Sequence, residues 1–241
     1  MKVTLISVTP NAAELLLFTK STRLSMSPAL LRDIELWKKE RKEAELAYMA
    51  ETIPSSWEFV DYVFLVEGVS RAYTHQQVRT RAASYAQQSL RVVNVADFEY
   101  IFTERNREDP TAMRALNSAL SAIKDCYARL IALEQPVEDA RGILPTNIAT
   151  NIVCKFNLRT MSELAASRTG GRTQDEYKTV VNAMCTAVLA VHPWAERFLF
   201  ARPRDFFAEL ERFAEEEYGG DLLKKGQLLK IVDKMRKERR P

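Results

Sequence analysis

The apolar pattern of this chain changes period at irregular intervals, and that constrains the fold more than any single motif. "KVTLISV" is β-branched, short and closed by "TPN", so it reads as a strand and turn. "WEFVDYVFLVEG" reads as a second strand ending at Gly68, "DFEYIFTER" as a third and "NIVCKFN" as a fourth. Helical periodicity covers "AAELLLFTKS", Pro28 to Met49, "VSRAYTHQQVR" and Thr173 to His192, where His192-Pro193 stops it. The clearest helix starts at Asp109-Pro110, with Asp as the cap and Pro in the first turn. Beyond it Met113, Leu116, Leu120, Ile123, Tyr127, Leu130 and Ile131 recur at three and four. Strands and helices are mixed without regular β-α-β alternation, and no G-x-G-x-x-G turn is present. The expected class is α+β rather than a doubly wound dinucleotide fold.

With 241 residues, 46% of them hydrophobic, the chain can bury one compact core and carry a helical appendage. The expected division is a domain over 1–218 and a basic helical tail over 219–241, the paired Gly219 and Gly220 ending the preceding helix. Cys126, Cys154 and Cys185 are odd in number, far apart and set among apolar residues, which predicts buried free thiols in a reducing compartment. No apolar run of about 18 residues occurs and the N-terminus lacks a cleavage site, so the expected location is the cytoplasm.

A formal net charge of +3 excludes wholesale attraction to nucleic acid or membrane, so any electrostatic function must come from local clustering. Such a cluster exists. Between Gly68 and Ala96 there is no Asp or Glu, yet Arg71, Arg79, Arg81 and Arg91 occur there. Ser84, Ser89, Gln76, Gln77, Gln87 and Gln88 surround these cations with neutral donors and acceptors, a lining suited to phosphate oxygens and the edge of a flat heterocycle. Two other readings stand beside a nucleotide site: pairing of these arginines with acids elsewhere in the fold or on another chain, and a non-catalytic nucleotide- or nucleic-acid-binding module. His75 and His192 are the only histidines and have no ligand-spaced partners, so no metal site is expected. Neither lies in a recognisable nucleophile context.

The run "RTRAASYAQQSLRV", Arg79 to Val92, resembles the signature R-H-R-x-x-S-x-N/S-E/Q-x-S-x-R-Y of the flavin-dependent thymidylate synthases. "VEGVSRAYTHQ" is similar to the family's approach to that motif, "MKVTLISVTPN" to its first strand, and "ARGILPTNIATNIVCKFNLRTMSELAASR" to its later A-R-x-x-L-P and N-x-R segments. The resemblance spans Met1 to about Trp194. It implies a central, mostly antiparallel sheet with flanking helices, a homotetramer with active sites at subunit interfaces, FAD as cofactor and dUMP as substrate. NADPH and methylenetetrahydrofolate are the implied co-substrates, and no fingerprint for NADPH docking is visible.

Residue by residue, the resemblance gives Arg79, Thr80, Arg81 and Ala82 to the flavin, with Gln87 between the two ligands. Asn157, Arg159 and Glu163 match a second flavin-contacting group, and Ser25 and Ser55 are further flavin matches. Gln76, Gln87, Ser89, Leu90, Arg91, Arg141 and Arg168 match the nucleotide side, Arg168 as the catalytic residue against the uracil. The chain departs from the pattern at Thr80 for a His, Val92 for a Tyr, Glu163 for an Asn, and Gln87 where many members carry Glu. These departures keep a related outcome open, a flavin-dependent pyrimidine nucleotide hydroxymethylase.

Overall fold

A computed structural model of the chain describes residues 1–22, 24–52, 54–90, 99–170, 173–200 and 206–238. Two compact units divide the chain, Met1–Ala201 and Arg202–Pro241. The first holds a sheet of four antiparallel strands in the order β1-β2-β4-β3: β1 Lys2–Val8, β2 Asp61–Ser70, β3 Ala83–Gln87 and β4 Ala149–Asn157. The α+β expectation and its antiparallel sheet are borne out.

Helices of this unit are α1 Ala12–Lys20, α2 Pro28–Glu35, α3 Lys39–Ala50, α4 Arg71–Gln77, α5 Glu104–Glu108, α6 Pro110–Ala132, α7 Val137–Ala140, α8 Leu158–Arg168, α9 Asp175–Val191 and α10 Glu196–Leu199. Period-two alternation in β2 and β4 sends Tyr62, Phe64 and Val66, with Ile152, Cys154 and Phe156, to one face, all fully buried. Against that face pack Leu16 and Leu17 of α1, Leu158, Met161 and Leu164 of α8, and Val180, Val181, Met184 and Val188 of α9. Each such burial stabilises the fold by roughly 1.5–3 kcal/mol. In the second unit, α11 Phe206–Tyr218 and α12 Leu222–Glu238 form a helical pair held in part by Arg236–Glu211 at 3.0 Å and Lys225–Glu215 at 2.6 Å. The helix expected to close the domain thus shares its unit with the basic tail.

Several expectations are corrected. The helix expected from Pro28 to Met49 is two helices, because Trp37 turns back onto Ile34 and Lys38 is extended. The break lets Ile34, Leu46 and Met49 all reach the core, while Leu36 is 84% exposed. The second strand starts at Asp61, since Pro54–Phe59 coils into a 3₁₀ turn, and it continues past Gly68 to Ser70. Gly68 sits at a bulge with φ +64°, a conformation open to glycine, and its N–H donates to Asn151 Oδ1 at 3.0 Å. "DFEYIFTER" forms no strand among its described residues: Tyr100 makes one isolated bridge to Ile148, and Thr103 caps α5. Cys126 is exposed rather than buried; the buried positions of α6 are Leu120 and Tyr127. Gln77, read as part of a ligand lining, is wholly buried and accepts from Tyr73 Oη at 3.0 Å.

Candidate functional site

The site grows from the corner between β2 and α4. Ser70 caps α4, its Oγ accepting from the Tyr73 N–H at 3.0 Å and donating to Glu176 Oε2 at 2.6 Å. The Ser70 N–H donates to the other Glu176 oxygen at 2.7 Å, so a carboxylate from α9 clamps the start of α4. From the next turn, Thr74 Oγ1 donates to Arg71 O at 3.1 Å and accepts from Gln87 Nε2 at 2.9 Å. Gln87 also reaches Thr150 Oγ1 of β4 at 3.5 Å, and Gln76 donates to Gln174 ahead of α9. These bonds tie Gln87 to α4 and β4 and Gln76 to the segment ahead of α9.

Around this scaffold the cations lack acids. Arg71 Nη2 donates to Gln88 O at 3.2 Å, but its Nε is buried with no partner among the described residues. Burial, and then the nearby charge of Arg141, pull the Arg71 guanidinium below its usual pKa. Arg141 hangs from the turn after α7, with Nε on the main-chain oxygen of Glu138 at 3.2 Å rather than on a carboxylate. Leu90 packs with Tyr127, Ala140 and Ile143, which lays the Ser89–Leu90 segment beside that turn. Arg168 ends α8 with its Cζ 5.2 Å from the centre of the Tyr177 ring and its Nε buried without a partner among the described residues. Among the described residues, no carboxylate pairs with Arg71, Arg141 or Arg168. Such guanidiniums keep full charge and open donors for an external anion. Arg91 and Val92 lie outside the described residues.

A second group stands along the loop from α4 to β3. The Tyr85 hydroxyl lies 2.8 Å from both Gln77 O and Thr80 O, and burial pushes its pKa up to about 12. Thr160 Oγ1 donates to Ala82 O at 3.2 Å, while its N–H donates to Asn157 Oδ1 at 2.8 Å in the cap of α8. Asn157 and Ala82 therefore converge on Thr160. The braced loop presents Arg79 and Arg81 as exposed side chains with no ion pair among the described residues. Arg159 is different: Nη1 donates to Glu58 Oε1 at 2.6 Å and Nε to Glu163 Oε1 at 3.2 Å, which raises its pKa. Within this chain the carboxylate at 163 is thus spent on the neighbouring guanidinium.

Glu58 belongs to the 3₁₀ turn that also carries Ser55, and the turn borders a groove of about 1290 Å³. Phe18, Lys20, Met26, Tyr48, Ser55 and Phe59 line it, and exposed Ser25 precedes Met26. The structure gathers the flavin matches along one surface, from the groove through Arg159 and Asn157 to the 79–82 loop. The nucleotide matches collect around α4. Thr74, Thr150, Thr160, Tyr85 and Gln174, which brace both groups, carry no signal in the sequence; their roles depend on cross-strand and interhelix pairing. Arg71 is visible in the acid-free stretch but has no assigned partner until Arg141 is seen beside it.

Residues 4–194 match the family model described as thymidylate synthase complementing protein. A flavin-dependent thymidylate synthase of Clostridium tetani is 30% identical over 211 residues, covering 80% of this chain and 84% of that protein. Another, from Sulfurisphaera tokodaii, is 34% identical over 138 residues, covering 57% of this chain and 54% of its own length. Among solved structures, the UMP/dUMP methylase PolB from Streptomyces cacaoi, bound with 5-Br dUMP, superposes with a TM-score of 0.69 at 18% identity. That match spans 83% of this chain and 94% of the other, and it establishes a shared fold. With a family model covering most of its length and a relative matched over 80% of this chain and 84% of its own, this chain belongs to the thymidylate synthase complementing proteins, the flavin-dependent thymidylate synthases.

Proposed function

We propose that this protein is a flavin-dependent thymidylate synthase that converts dUMP to dTMP by reductive methylation, with methylenetetrahydrofolate as one-carbon donor and NADPH as reductant. The observation that carries the reading is the acid-free set of guanidiniums around α4, with Arg71 and Arg141 close enough to repel and two Nε atoms buried without partners. An anion between charges held this way gains charge-assisted hydrogen bonds and offsets their repulsion, and a nucleotide monophosphate supplies one.

Arg71, Arg141, Ser89, Leu90 through its main chain, and Arg91 take the phosphate. Gln76 and Gln87 face the nucleotide from α4 and β3; because Gln87 Nε2 is engaged by Thr74, its carbonyl oxygen is the atom left to accept a ligand N–H. Arg168 lies against the pyrimidine, where a permanently charged guanidinium donates to a carbonyl edge and stabilises negative charge developing in the ring. The residues present also fit FAD: Arg79 and Arg81 offer free donors to a pyrophosphate, the main chain from Thr80 to Ala82 is held rigid, and Asn157, Arg159, Glu163, Ser25 and Ser55 continue the same surface. Bound FAD supplies the hydride chemistry that side chains cannot. Thr80 offers a hydroxyl where the family's imidazole stands, and Arg159 must share its donors between Glu58, Glu163 and the cofactor. The active unit is a homotetramer with sites between subunits. Three free cysteines support a reducing compartment, the cytoplasm.

The test is to incubate purified protein with FAD, NADPH, methylenetetrahydrofolate and dUMP and to weigh the nucleotide product. Addition of a methyl group is the expected result. A hydroxymethyl adduct would reassign the enzyme, and a protein that retains no flavin and turns over no dUMP would sink the reading.

A further inference from the structure

Arg168 is held by a ring where most half-buried arginines are held by an acid. Its Cζ stands 5.2 Å from the centre of Tyr177, within the range of a cation–π contact. On its own helix Glu163 pairs with Arg159, and Glu176, the residue before Tyr177, points its carboxylate at Ser70, with both oxygens engaged at 2.6 and 2.7 Å. Tyr177 cannot swing away. It is completely buried and packs edge-on against Tyr73, with centres 5.4 Å apart at 79°, and Tyr73 is tied in turn to Gln77 at 3.0 Å. Read from sequence alone, Tyr177 is one more apolar position on the buried face of α9.

We infer that Tyr177 is the positioning residue for Arg168, its ring face fixing the guanidinium that meets the pyrimidine. The choice of a ring has a chemical consequence. A carboxylate here would neutralise the cation and occupy its N–H groups, both of which the substrate needs. An aromatic face attracts the same cation through its quadrupole and takes no N–H donor, so the guanidinium is oriented with its charge and donors intact. The carboxylate of Glu176, next to Tyr177 in the chain, is committed to Ser70.

This inference rests on the reading of Arg168 as the group against the pyrimidine, and a binding cycle separates the two. On the flavin-loaded protein, dUMP dissociation constants are measured by calorimetry for wild type, Tyr177→Phe, Tyr177→Leu, Arg168→Ala and the double variant Arg168→Ala/Tyr177→Leu. Tyr177→Leu is expected to weaken dUMP by about tenfold, Tyr177→Phe by no more than about twofold, and the Leu change to add nothing once Arg168 is gone. Flavin content and Tm, followed in every variant, report any general loss of structure. If Tyr177→Leu fails to fold, Tyr177→Met replaces it in the cycle at similar volume. An equal loss from the Tyr177 change with and without Arg168 overturns the inference, as does a Phe variant as weak as the Leu one. If Arg168→Ala alone leaves dUMP affinity and turnover at wild-type values, the reading of the site has failed, and the inference falls with it.

Discussion

At the scale of single residues, Arg71 has the least comfortable surroundings in the first unit. Among the described residues its Nε is buried unpaired, a second guanidinium stands nearby, and its Nη2 donates to the main-chain oxygen of Gln88. Removing it relieves repulsion in the free protein but deletes a charge-assisted bond in the complex. Arg71→Ala should therefore weaken dUMP binding by about tenfold or more while leaving Tm unchanged or slightly raised. Titration calorimetry beside a melting curve checks both halves, and an unaltered dUMP affinity would remove Arg71 from the phosphate group. The thiols give a second prediction. Burial pushes the pKa of Cys154 up to about 12 and that of Cys185 up to about 11, whereas Cys126 is exposed on α6. Near neutral pH one thiol should react quickly with a disulfide reagent and the other two only after denaturation. Two fast thiols would mean that one buried cysteine is accessible.

At the scale of elements, the loop between α4 and β3 depends on partners it does not contain. Thr160 of α8 holds Ala82 O, and Tyr85 of β3 holds Gln77 O and Thr80 O. Thr160→Val keeps the shape and deletes the bond to Ala82. It should lower stability by roughly 1 kcal/mol and weaken FAD by about fivefold, read from a flavin titration of the apoprotein. A tighter flavin would show that the loop must move to bind. The same dependence explains what the sequence made legible. β4 and α9 announce themselves because one buried face sets their period, α6 because apolar residues recur at three and four, and β1 through its β-branched run. α6 adds its own start, with Asp109 Oδ1 accepting from the N–H groups of Thr111 and Ala112 at 2.8 and 3.2 Å. β3 does not, since its inward side is Ala83, Tyr85 and Gln87, too polar to read as a strand until β4 pairs with it. "DFEYIFTER" errs the other way: it has strand propensity, but among its described residues only Tyr100 finds a pairing partner, so residues from Glu104 coil into α5. The motif residues of the site could be read from their order. The Arg71–Arg141 approach and the Tyr177 contact could not, because they join positions 70 and 9 apart only after folding.

At the scale of the whole molecule, the sheet has one finished face. Phe64 and Phe156 point into the core, but Leu65 points the other way, opposite Val153 on β4, which lies opposite Ala86 on β3. Leu65 and Val153 are half-buried, Ala86 is exposed, and Ile6 of β1 is 52% exposed. An antiparallel sheet that faces water normally alternates apolar inside with polar outside, and an apolar stripe across three strands departs from that rule. A homotetramer that covers this stripe would also explain why Arg71, Arg141 and Arg168 meet no carboxylate among the described residues, since the sites would be completed from neighbouring subunits. The protein is then expected to run at about four times its 27.6 kDa chain mass by light scattering. Leu65→Lys, which sets a charge in the middle of the stripe, should dissociate the assembly and abolish turnover while leaving the far-ultraviolet spectrum of the chain intact. A wild-type protein that turns over dUMP as a single chain, or a Leu65→Lys variant that stays assembled and active, would show that the sites are complete within one subunit and that the exposed face serves another purpose.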